Sequence, residues 1–88
     1  MKLVIIIGAG GHGKVVADII QKSGDKVYGF LDDNTELQDT FVGFPILGVV
    51  DDYKKYRNIA EFVVAIGDAK IRSDISKKIR DVAIYTAC

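Results

Sequence analysis

A wholly apolar run and the glycines that follow it constrain the fold of this chain more than any other feature. The run Leu3–Ile7 reads LVIII, and four of its five side chains are β-branched. Such a run is typical of a strand that is buried on both faces, as strands are in a parallel sheet. Four glycines within six residues follow it (Gly8, Gly10, Gly11 and Gly13), and a helical pattern begins directly after them. Strand, glycine loop and helix in this order predict the start of a β-α-β unit.

The rest of the chain continues the alternation of strands and helices. Apolar residues at helical spacing predict a helix after the glycine loop, and Gly24 is suited to end it. An isoleucine every four residues from Ile71 to Ile79 predicts a second helix, for which Asp68 is a natural N-cap. The other predictions are strands Lys26–Leu31 and Glu61–Gly67, a short strand or extended segment Phe44–Gly48, a candidate last strand Val82–Tyr85, a short helix Asp51–Tyr56 capped by Asp51, and an apolar face of the first helix formed by Val15, Val16, Ile19 and Ile20.

This order of elements predicts an α/β fold, a small Rossmann-like domain of three layers with a mostly parallel sheet and right-handed crossovers. Residues 1–88 are expected to form this one domain. The first strand should be central, with the second strand on one side and Phe62–Ile66 on the other. Ligands of such sheets bind where the chain reverses its direction of winding, beyond the carboxyl ends of the strands. The loops at residues 8–13 and Gly67–Asp68 would flank that point.

Composition narrows the class of partner. The chain has 88 residues, enough for one small domain, and its 12 basic residues balance its 12 acidic ones. Because nucleic-acid-binding domains usually carry a basic excess, we expect no nucleic-acid partner. No apolar run approaches the length of a membrane span, so no membrane partner is expected. The single cysteine, Cys88, can form no disulfide within the chain, which favours the cytoplasm.

The glycines fit the pattern G-x-G-x-x-G, in which each glycine has a physical role. Gly8 would permit the sharp exit from the strand, Gly10 would let a phosphate approach the backbone, and Gly13 would let the helix press on the strand. Gly11 is an additional glycine in the same loop. The free N–H groups at the start of the helix would then face a diphosphate. The alternative is a tight turn that binds nothing, but a plain turn rarely needs four glycines.

Two carboxylates close the second predicted strand. Asp32 lies nineteen positions after Gly13, about where a dinucleotide-binding fold places its ribose-binding acid, and Asp33 follows it. A carboxylate there can accept hydrogen bonds from sugar hydroxyls or from a base N–H. The alternative is an Asx turn that leads into Asn34. The sequence does not decide which of the two acids contacts a ligand.

The remaining candidates are fewer and less specific. His12 could donate to a phosphate or a sugar, or could simply pack against the loop. Asp68 is expected to be an N-cap first and a ligand contact second. The chain has no paired carboxylate motif and no Ser/His/Asp order, and one histidine with one terminal cysteine does not form a typical zinc site. We therefore predict no catalytic residue and no metal site in this chain.

Four segments occur in a characteristic order between Lys2 and about Arg80. They read IIGAGGHGKVVADI, GFLDDN, PILG and FVVAIGDAKIR. Together they resemble the N-terminal domain of the sialic-acid O-acetyltransferase and UDP-amino-sugar N-acetyltransferase family, whose best-known type is the bacillosamine-pathway acetyltransferase. The resemblance implies a Rossmann-like domain that holds a nucleotide-sugar substrate, typically a UDP-linked amino sugar, and that carries no cofactor of its own.

The resemblance also implies which residues meet the substrate. The first loop would meet the phosphates and the sugar, and the acidic pair would meet the uridine. Where the family commonly has an asparagine after AIGD, this chain has Ala69, so one polar contact is expected to be absent. The implied substrate contacts are Gly8, Gly10, Gly11, His12, Gly13, Asp32, Asp33, Gly67 and Asp68.

The family implies further parts that we do not expect within these 88 residues. Its members continue into a left-handed β-helix of hexapeptide repeats, which binds acetyl-CoA, forms a trimer and supplies the catalytic histidine. Acetyl-CoA and a trimer are therefore implied only for a longer protein that includes that part.

Two other classes of function stay open on the sequence alone. The glycine pattern and Asp32 permit an NAD-type dinucleotide-binding module, although the chain is about half of a full dinucleotide-binding fold. A non-catalytic structural domain, in which the glycine loop only turns the chain, would bind no nucleotide.

Overall fold

The computed structural model describes residues 1–34, 36 and 38–86. Cys88, on which the prediction of a cytoplasmic location depends, lies outside the described residues. Within the described part the strands and helices follow the predicted order, with one short strand, Thr40–Phe41, that was not predicted. They are β1 (Leu3–Ile7), α1 (Gly11–Lys22), β2 (Lys26–Leu31), β3 (Thr40–Phe41), β4 (Phe44–Gly48), a 3₁₀ helix (Val50–Lys55), β5 (Glu61–Val64) and α2 (Ala69–Lys78).

The sheet has five strands in the order β3-β4-β2-β1-β5. As predicted, β1 is central and pairs in parallel with β2 on one side and β5 on the other. β4 is parallel to β2, and only the short β3 is antiparallel to its neighbour. Ile7 lies beside both Leu31 and Val64, so β1, β2 and β5 end at the same edge of the sheet. The winding reverses beside β1, which makes this edge the expected place for a ligand.

The side chains of β1 alternate between two buried layers. Val4 and Ile6 pack on the side of α1, whereas Ile5 and Ile7 pack on the side of the 3₁₀ helix and Ile79 at the end of α2. All four of these β1 side chains are fully buried, and so is Ile79. Complete burial of one such side chain contributes about 1.5–3 kcal/mol to stability, so β1 is the main anchor of the fold. The predicted three layers are therefore present, with α1 on one face of the sheet.

The buried face of α1 differs from the predicted one. Val15 and Ile19 belonged to the predicted apolar face, but they are 60% and 47% exposed. The residues that α1 buries are Gly13, Ala17 and Ile20. Two of these three are small, because the helix lies close to β1 and the loop before it. The prediction gave weight to large apolar side chains, whereas the contact is formed mainly by residues that permit close approach.

The predicted helix Asp51–Tyr56 is a 3₁₀ helix, and its predicted cap is wrong. The carboxylate of Asp52, not that of Asp51, accepts a hydrogen bond from the N–H of Val49 at 3.1 Å. Asp51 instead forms an ion pair with Lys78 of α2. Asp51 therefore links the 3₁₀ helix to α2 on one face of the sheet.

The last two predicted strands are shorter than expected. β5 ends at Val64. Beyond it, the N–H of Ala65 donates one more hydrogen bond, of 2.8 Å, to the carbonyl of Ile7, the last residue of β1. The predicted strand Val82–Tyr85 is reduced to a single bridge between Phe62 and Ile84. Side-chain contacts also hold this segment, since the hydroxyl of Tyr85 donates to Asp25 at 2.8 Å.

The turn between β3 and β4 holds a β-branched residue in the left-handed region. Val42 has a φ of +46° and the next residue, Gly43, has a φ of +86°. Two-residue hairpin turns of this kind favour asparagine before glycine, and a left-handed valine costs roughly 1–2 kcal/mol. We expect Val42→Asn to raise the free energy of unfolding by about 1 kcal/mol, measured by urea denaturation.

A matched variant separates backbone strain from side-chain contacts in this turn. Val42→Ala shortens the side chain but keeps most of the left-handed penalty, so it should raise stability less than Val42→Asn does. If Val42→Asn lowered stability instead, the half-exposed valine would be making contacts that outweigh its strain.

Candidate ligand-binding site

The loop between β1 and α1 turns sharply at Gly8, which has a φ of +116°. A Cβ at Gly8 would lie 2.6 Å from the carbonyl oxygen of Ala65, and a Cβ at Gly13 would fall on the carbonyl oxygen of Gly8. The N–H of Gly8 also donates to the carbonyl of Leu31 at 2.9 Å. Both glycines are therefore required by the packing of the protein against itself, because the loop is held between β2, β5 and α1.

The other two glycines of the loop face open space. Apart from the adjacent residues and the main chain of α1 itself, no atom of the described residues lies within 4 Å of a Cβ built at Gly10 or at Gly11. Gly10 is the N-cap of α1 and has no side chain to occupy the first N–H groups. The first helical hydrogen bond runs from the N–H of Lys14 to the carbonyl of Gly10, at 2.9 Å. The N–H groups of Gly11 and His12 thus lack intrahelical partners beside this space, at the positive end of the helix dipole.

A crevice of about 230 Å³ crosses the carboxyl ends of β1 and β5. The imidazole of His12 lies over the backbone of Gly67 on its far side, since a Cβ at Gly67 would be 2.8 Å from Cε1 of the ring. Two loops that are more than fifty residues apart in sequence therefore meet at the crevice, as the topology predicts. Its lining residues are Gly8, Ala9, Gly10, Gly11, His12, Asp32, Ala65, Ile66 and Gly67.

Asp32 links the glycine loop to the end of β2. Its Oδ2 accepts a hydrogen bond from the N–H of Ala9, and its Oδ1 accepts one from the N–H of Asn34, both at 2.8 Å. The second bond forms the Asx turn that the sequence offered as an alternative to ligand binding. The main-chain N–H of Asp32 donates to the carbonyl of Gly48 at 3.0 Å, which ties the same residue to the end of β4.

Asp33 lies at the rim of a second cavity, of about 280 Å³. Its Oδ1 accepts a hydrogen bond from the N–H of Val50 at 2.9 Å. The second cavity adjoins the first, and both contact Gly8 and Asp32. Its wall is apolar apart from the two acids. The lining residues are Ile7, Gly8, Leu31, Asp32, Asp33, Val50, Ile66, Ile71 and Ile75.

A lysine on α2 contributes positive charge to the rim beside Asp33. Its partner Asp51 raises the pKa of Lys78 above the ordinary value, mainly through their hydrogen bond, and the charge of Asp33 adds to the increase. Lys78 therefore stays protonated at neutral pH as the partner of Asp51.

Asp68 is placed as the predicted N-cap of α2. Its carboxylate accepts a hydrogen bond from the N–H of Ile71 at 3.0 Å. The guanidinium of Arg72 donates to the carbonyl of Ile66 at 3.2 Å and closes the same turn. Asp68 lies outside both cavities, so the structure brings it next to the other candidates without placing it among the lining residues.

The sequence profile of the PglD N-terminal domain matches residues 3–79 of this chain. The chain belongs to the PglD N-terminal domain family. The resemblance to the N-terminal domain of nucleotide-sugar acetyltransferases is thereby confirmed.

Solved structures of similar fold come from longer proteins. The acetyltransferase domain of PglB from Neisseria gonorrhoeae, solved with acetyl coenzyme A, has a TM-score of 0.81 and 33% identity; the match covers 94% of this chain and 40% of that one. PerB from Caulobacter crescentus, solved with CoA and GDP-perosamine, has a TM-score of 0.79 and 31% identity over 92% of this chain and 38% of that one. These matches confirm the Rossmann-like α/β fold.

A curated relative with 39% identity is an uncharacterised protein of Acanthamoeba polyphaga mimivirus. The match extends over 79 residues, which is 90% of this chain and 16% of the viral protein. The chain thus spans about two fifths of the solved structures and about a sixth of the viral relative.

The sequence analysis did not predict the apolar wall of the second cavity. The spacing of Ile71 and Ile75 predicts a helix but no ligand contact, whereas in the structure Ile71 is 50% exposed and both residues line the second cavity. Only Ile79, at the end of α2, is fully buried. One feature of the sequence could have indicated this wall. The first half of α2 has too few apolar side chains to cover a sheet.

Within residues 1–34, 36 and 38–86, no group of three or more His, Cys, Asp or Glu residues is arranged to hold a metal ion. Of the helices described, none is both long enough and apolar enough to cross a bilayer.

Proposed function

We propose that this domain holds a nucleotide-linked amino sugar as the substrate-binding part of a sugar acetyltransferase. The observation that carries the proposal is the open space at Gly10 and Gly11, where the packing of the described residues gives no reason for glycine. Open N–H groups at a helix N-terminus are suited to bind a diphosphate. The proposal is also supported by PerB, a structural relative that was solved with CoA and GDP-perosamine.

In this proposal the ligand follows the two adjoining cavities. The diphosphate binds the N–H groups of Gly11 and His12, while Gly8 and Gly13 give the loop its shape. The sugar extends towards the imidazole of His12 and the backbone of Gly67, with Asp68 behind them. The nucleoside enters the apolar cavity, where Asp32 and Asp33 provide the polar groups. The domain would thus bind and orient the sugar, and acetyl-CoA would supply the acetyl group.

Some parts of the proposal concern the whole protein to which such a domain belongs. Acetyl-CoA binding, a trimer and the catalytic histidine would come from a β-helix part of a longer protein, as the family resemblance implies. A location in the cytoplasm belongs to the same proposal. UDP is the expected nucleotide carrier on the family resemblance, and the GDP ligand of PerB makes a direct comparison of the two nucleotides necessary.

Thermal denaturation with a panel of ligands tests the proposal. We expect UDP or a UDP-linked amino sugar to raise the Tm, because a ligand at a hundred times its Kd stabilises the folded state by about 2.7 kcal/mol. GDP, a GDP-linked amino sugar, NAD and uridine are measured in parallel, and calorimetric titration provides the Kd values. Uridine should have the smallest effect of the UDP series, because it lacks the diphosphate.

Each outcome of the panel has a definite meaning. Tighter binding of GDP than of UDP would keep the nucleotide-sugar proposal and change its carrier. Tighter binding of NAD than of either nucleotide would favour a dinucleotide module. No shift with any ligand at millimolar concentration would reject ligand binding and favour a structural domain.

A further inference from the structure

Both oxygens of the Asp32 carboxylate already have partners within the protein. Oδ2 accepts the N–H of Ala9 and Oδ1 accepts the N–H of Asn34, at 2.8 Å each. Hydrogen bonds to an ionised carboxylate are stronger than neutral ones, and Asp32 is half-buried. A ligand that used Asp32 as its acceptor would have to share these oxygens with two main-chain donors.

The glycine loop needs such an internal contact. Glycine loses more backbone freedom on ordering than any other residue, and Gly8, Gly10 and Gly11 surround Ala9. Ala9 is 8% exposed, and its N–H is bound to Asp32. The contact therefore orders the loop from behind before a ligand arrives. A site that is ordered in advance loses less entropy when it binds.

Asp33 is placed differently from Asp32. It is exposed, and its Oδ1 accepts a hydrogen bond from the N–H of Val50 at 2.9 Å. Among the residues that the structure describes, its Oδ2 accepts no hydrogen bond. This oxygen belongs to one of the two polar residues that line the apolar cavity, which has Ile71 and Ile75 on its wall. A hydroxyl or N–H donor of a nucleoside would find its acceptor here.

We infer that the two acids have separate tasks in the ligand site. Asp32 is a positioning residue that holds the diphosphate-binding loop in shape through Ala9, and Asp33 is the carboxylate that contacts the nucleoside. This inference rests on the proposed function, because it concerns how the same site holds its ligand. In this inference Asp32, which occupies the usual ribose-binding position at the end of the second strand, contacts the protein's own loop and not a ribose.

The sign of the electrostatic effect makes the inference testable. Asp32→Asn removes a negative charge beside the proposed diphosphate site, so electrostatics alone would strengthen the binding of an anion. The asparagine amide has only one oxygen for the two main-chain donors, so loss of the loop contact would weaken the same binding. The two mechanisms thus predict opposite changes in the affinity for pyrophosphate.

The experiment compares Asp32→Asn and Asp33→Asn by NMR titration with pyrophosphate, UDP, GDP, uridine and guanosine. We expect Asp32→Asn to weaken pyrophosphate and the diphosphates by about ten-fold or more and to leave the nucleosides within about two-fold. Asp33→Asn should weaken the nucleosides without weakening pyrophosphate, since it removes a negative charge and leaves the loop contact of Asp32 in place. Equal weakening of nucleoside and diphosphate by Asp32→Asn, or tighter diphosphate binding, would overturn the inference.

A readout without ligand tests the positioning contact itself. Amide hydrogen exchange of Ala9 should accelerate in Asp32→Asn and stay unchanged in Asp33→Asn. Exchange of Val50 should stay near that of the wild type in both variants, because the amide oxygen left in Asp33→Asn can still accept its single hydrogen bond. Unchanged protection of Ala9 in Asp32→Asn would overturn the role of Asp32 even if no ligand bound. If the wild-type domain bound none of the five probes, the proposed function would fail, while the exchange result would still report on the contact.

A second variant covers the possibility of misfolding. If Asp32→Asn does not fold, Asp32→Ser replaces it, because a serine hydroxyl can accept one of the two main-chain bonds. The expectations for pyrophosphate, the diphosphates and the nucleosides are the same for this variant. Tighter pyrophosphate binding by Asp32→Ser would contradict the inference in the same way.

Discussion

Replacement of Gly13 by alanine should lower the free energy of unfolding by about 3 kcal/mol or more, because the new methyl group would overlap with main-chain atoms. Its Cβ falls on the carbonyl oxygen of Gly8 and lies 3.3 Å from the ring of Phe30. Neither neighbour can yield easily. Gly8 is held by its hydrogen bond to Leu31 and by its close approach to Ala65, and Phe30 is fully buried.

Urea denaturation followed by circular dichroism measures this loss. Small domains are stable by only about 5–15 kcal/mol, so Gly13→Ala should unfold at a much lower urea concentration or not fold at all. Gly11→Ala is the matched control, since it adds the same methyl group two residues away in the same helix turn. No described atom lies within 4 Å of its Cβ, and it should keep stability or raise it by up to about 1 kcal/mol. Equal stability of the two variants would contradict the packing argument.

The sequence was sufficient to predict the centre of the fold because its signals there are local. In a strand of five apolar residues the side chains point to both faces, so both faces must be buried. This predicts a central strand of a parallel sheet. The glycine pattern directly after Ile7 predicts a turn and a helix start. The buried face of α1 was not predictable in the same way, since close approach to the sheet selects small residues such as Ala17 and leaves Val15 exposed.

The partners of the two acids show a different limit of sequence reasoning. That Asp32 and Asp33 lie near the glycine loop follows from topology, because β1 and β2 are neighbours with the same direction. Their long-range partners are the main-chain N–H groups of Ala9 and Val50, 23 and 17 residues away in sequence. A main-chain donor is present at every residue except proline, so no residue type marks such a contact.

The apolar cavity depends on how closely α2 packs on the sheet, which the sequence does not specify. Three isoleucines at helical spacing predict a helix face that packs on the sheet. In the structure only Ile79 packs completely, and Ile71 stays half-exposed beside the ends of β1 and β2. The start of α2 is set by the Asp68 cap, and the helix then presents Ile71 and Ile75 to the cavity.

Replacement of Gly11 by valine should weaken the binding of UDP or GDP by about a hundred-fold or more and leave the fold intact. The branched side chain would enter the open space beside the N–H groups of Gly11 and His12, where the diphosphate is proposed to bind. A phosphate that is displaced by even one methyl group loses the short hydrogen bonds that helix N-termini offer. Calorimetric titration provides the Kd, and thermal denaturation without ligand shows whether the fold is kept.

Gln21→Val is the matched control for this variant, since it places the same side chain on an exposed position at the other end of α1. It should bind nucleotide as the wild type does, with a similar small effect on stability. Nucleotide affinity of Gly11→Val equal to that of the control would mean that the space at the loop is not used by a ligand. The opposite phenotypes expected for Gly13→Ala and Gly11→Val, one in folding and one in binding, follow from a single difference. The protein packs tightly around Gly13, whereas at Gly11 the described residues leave room for a ligand.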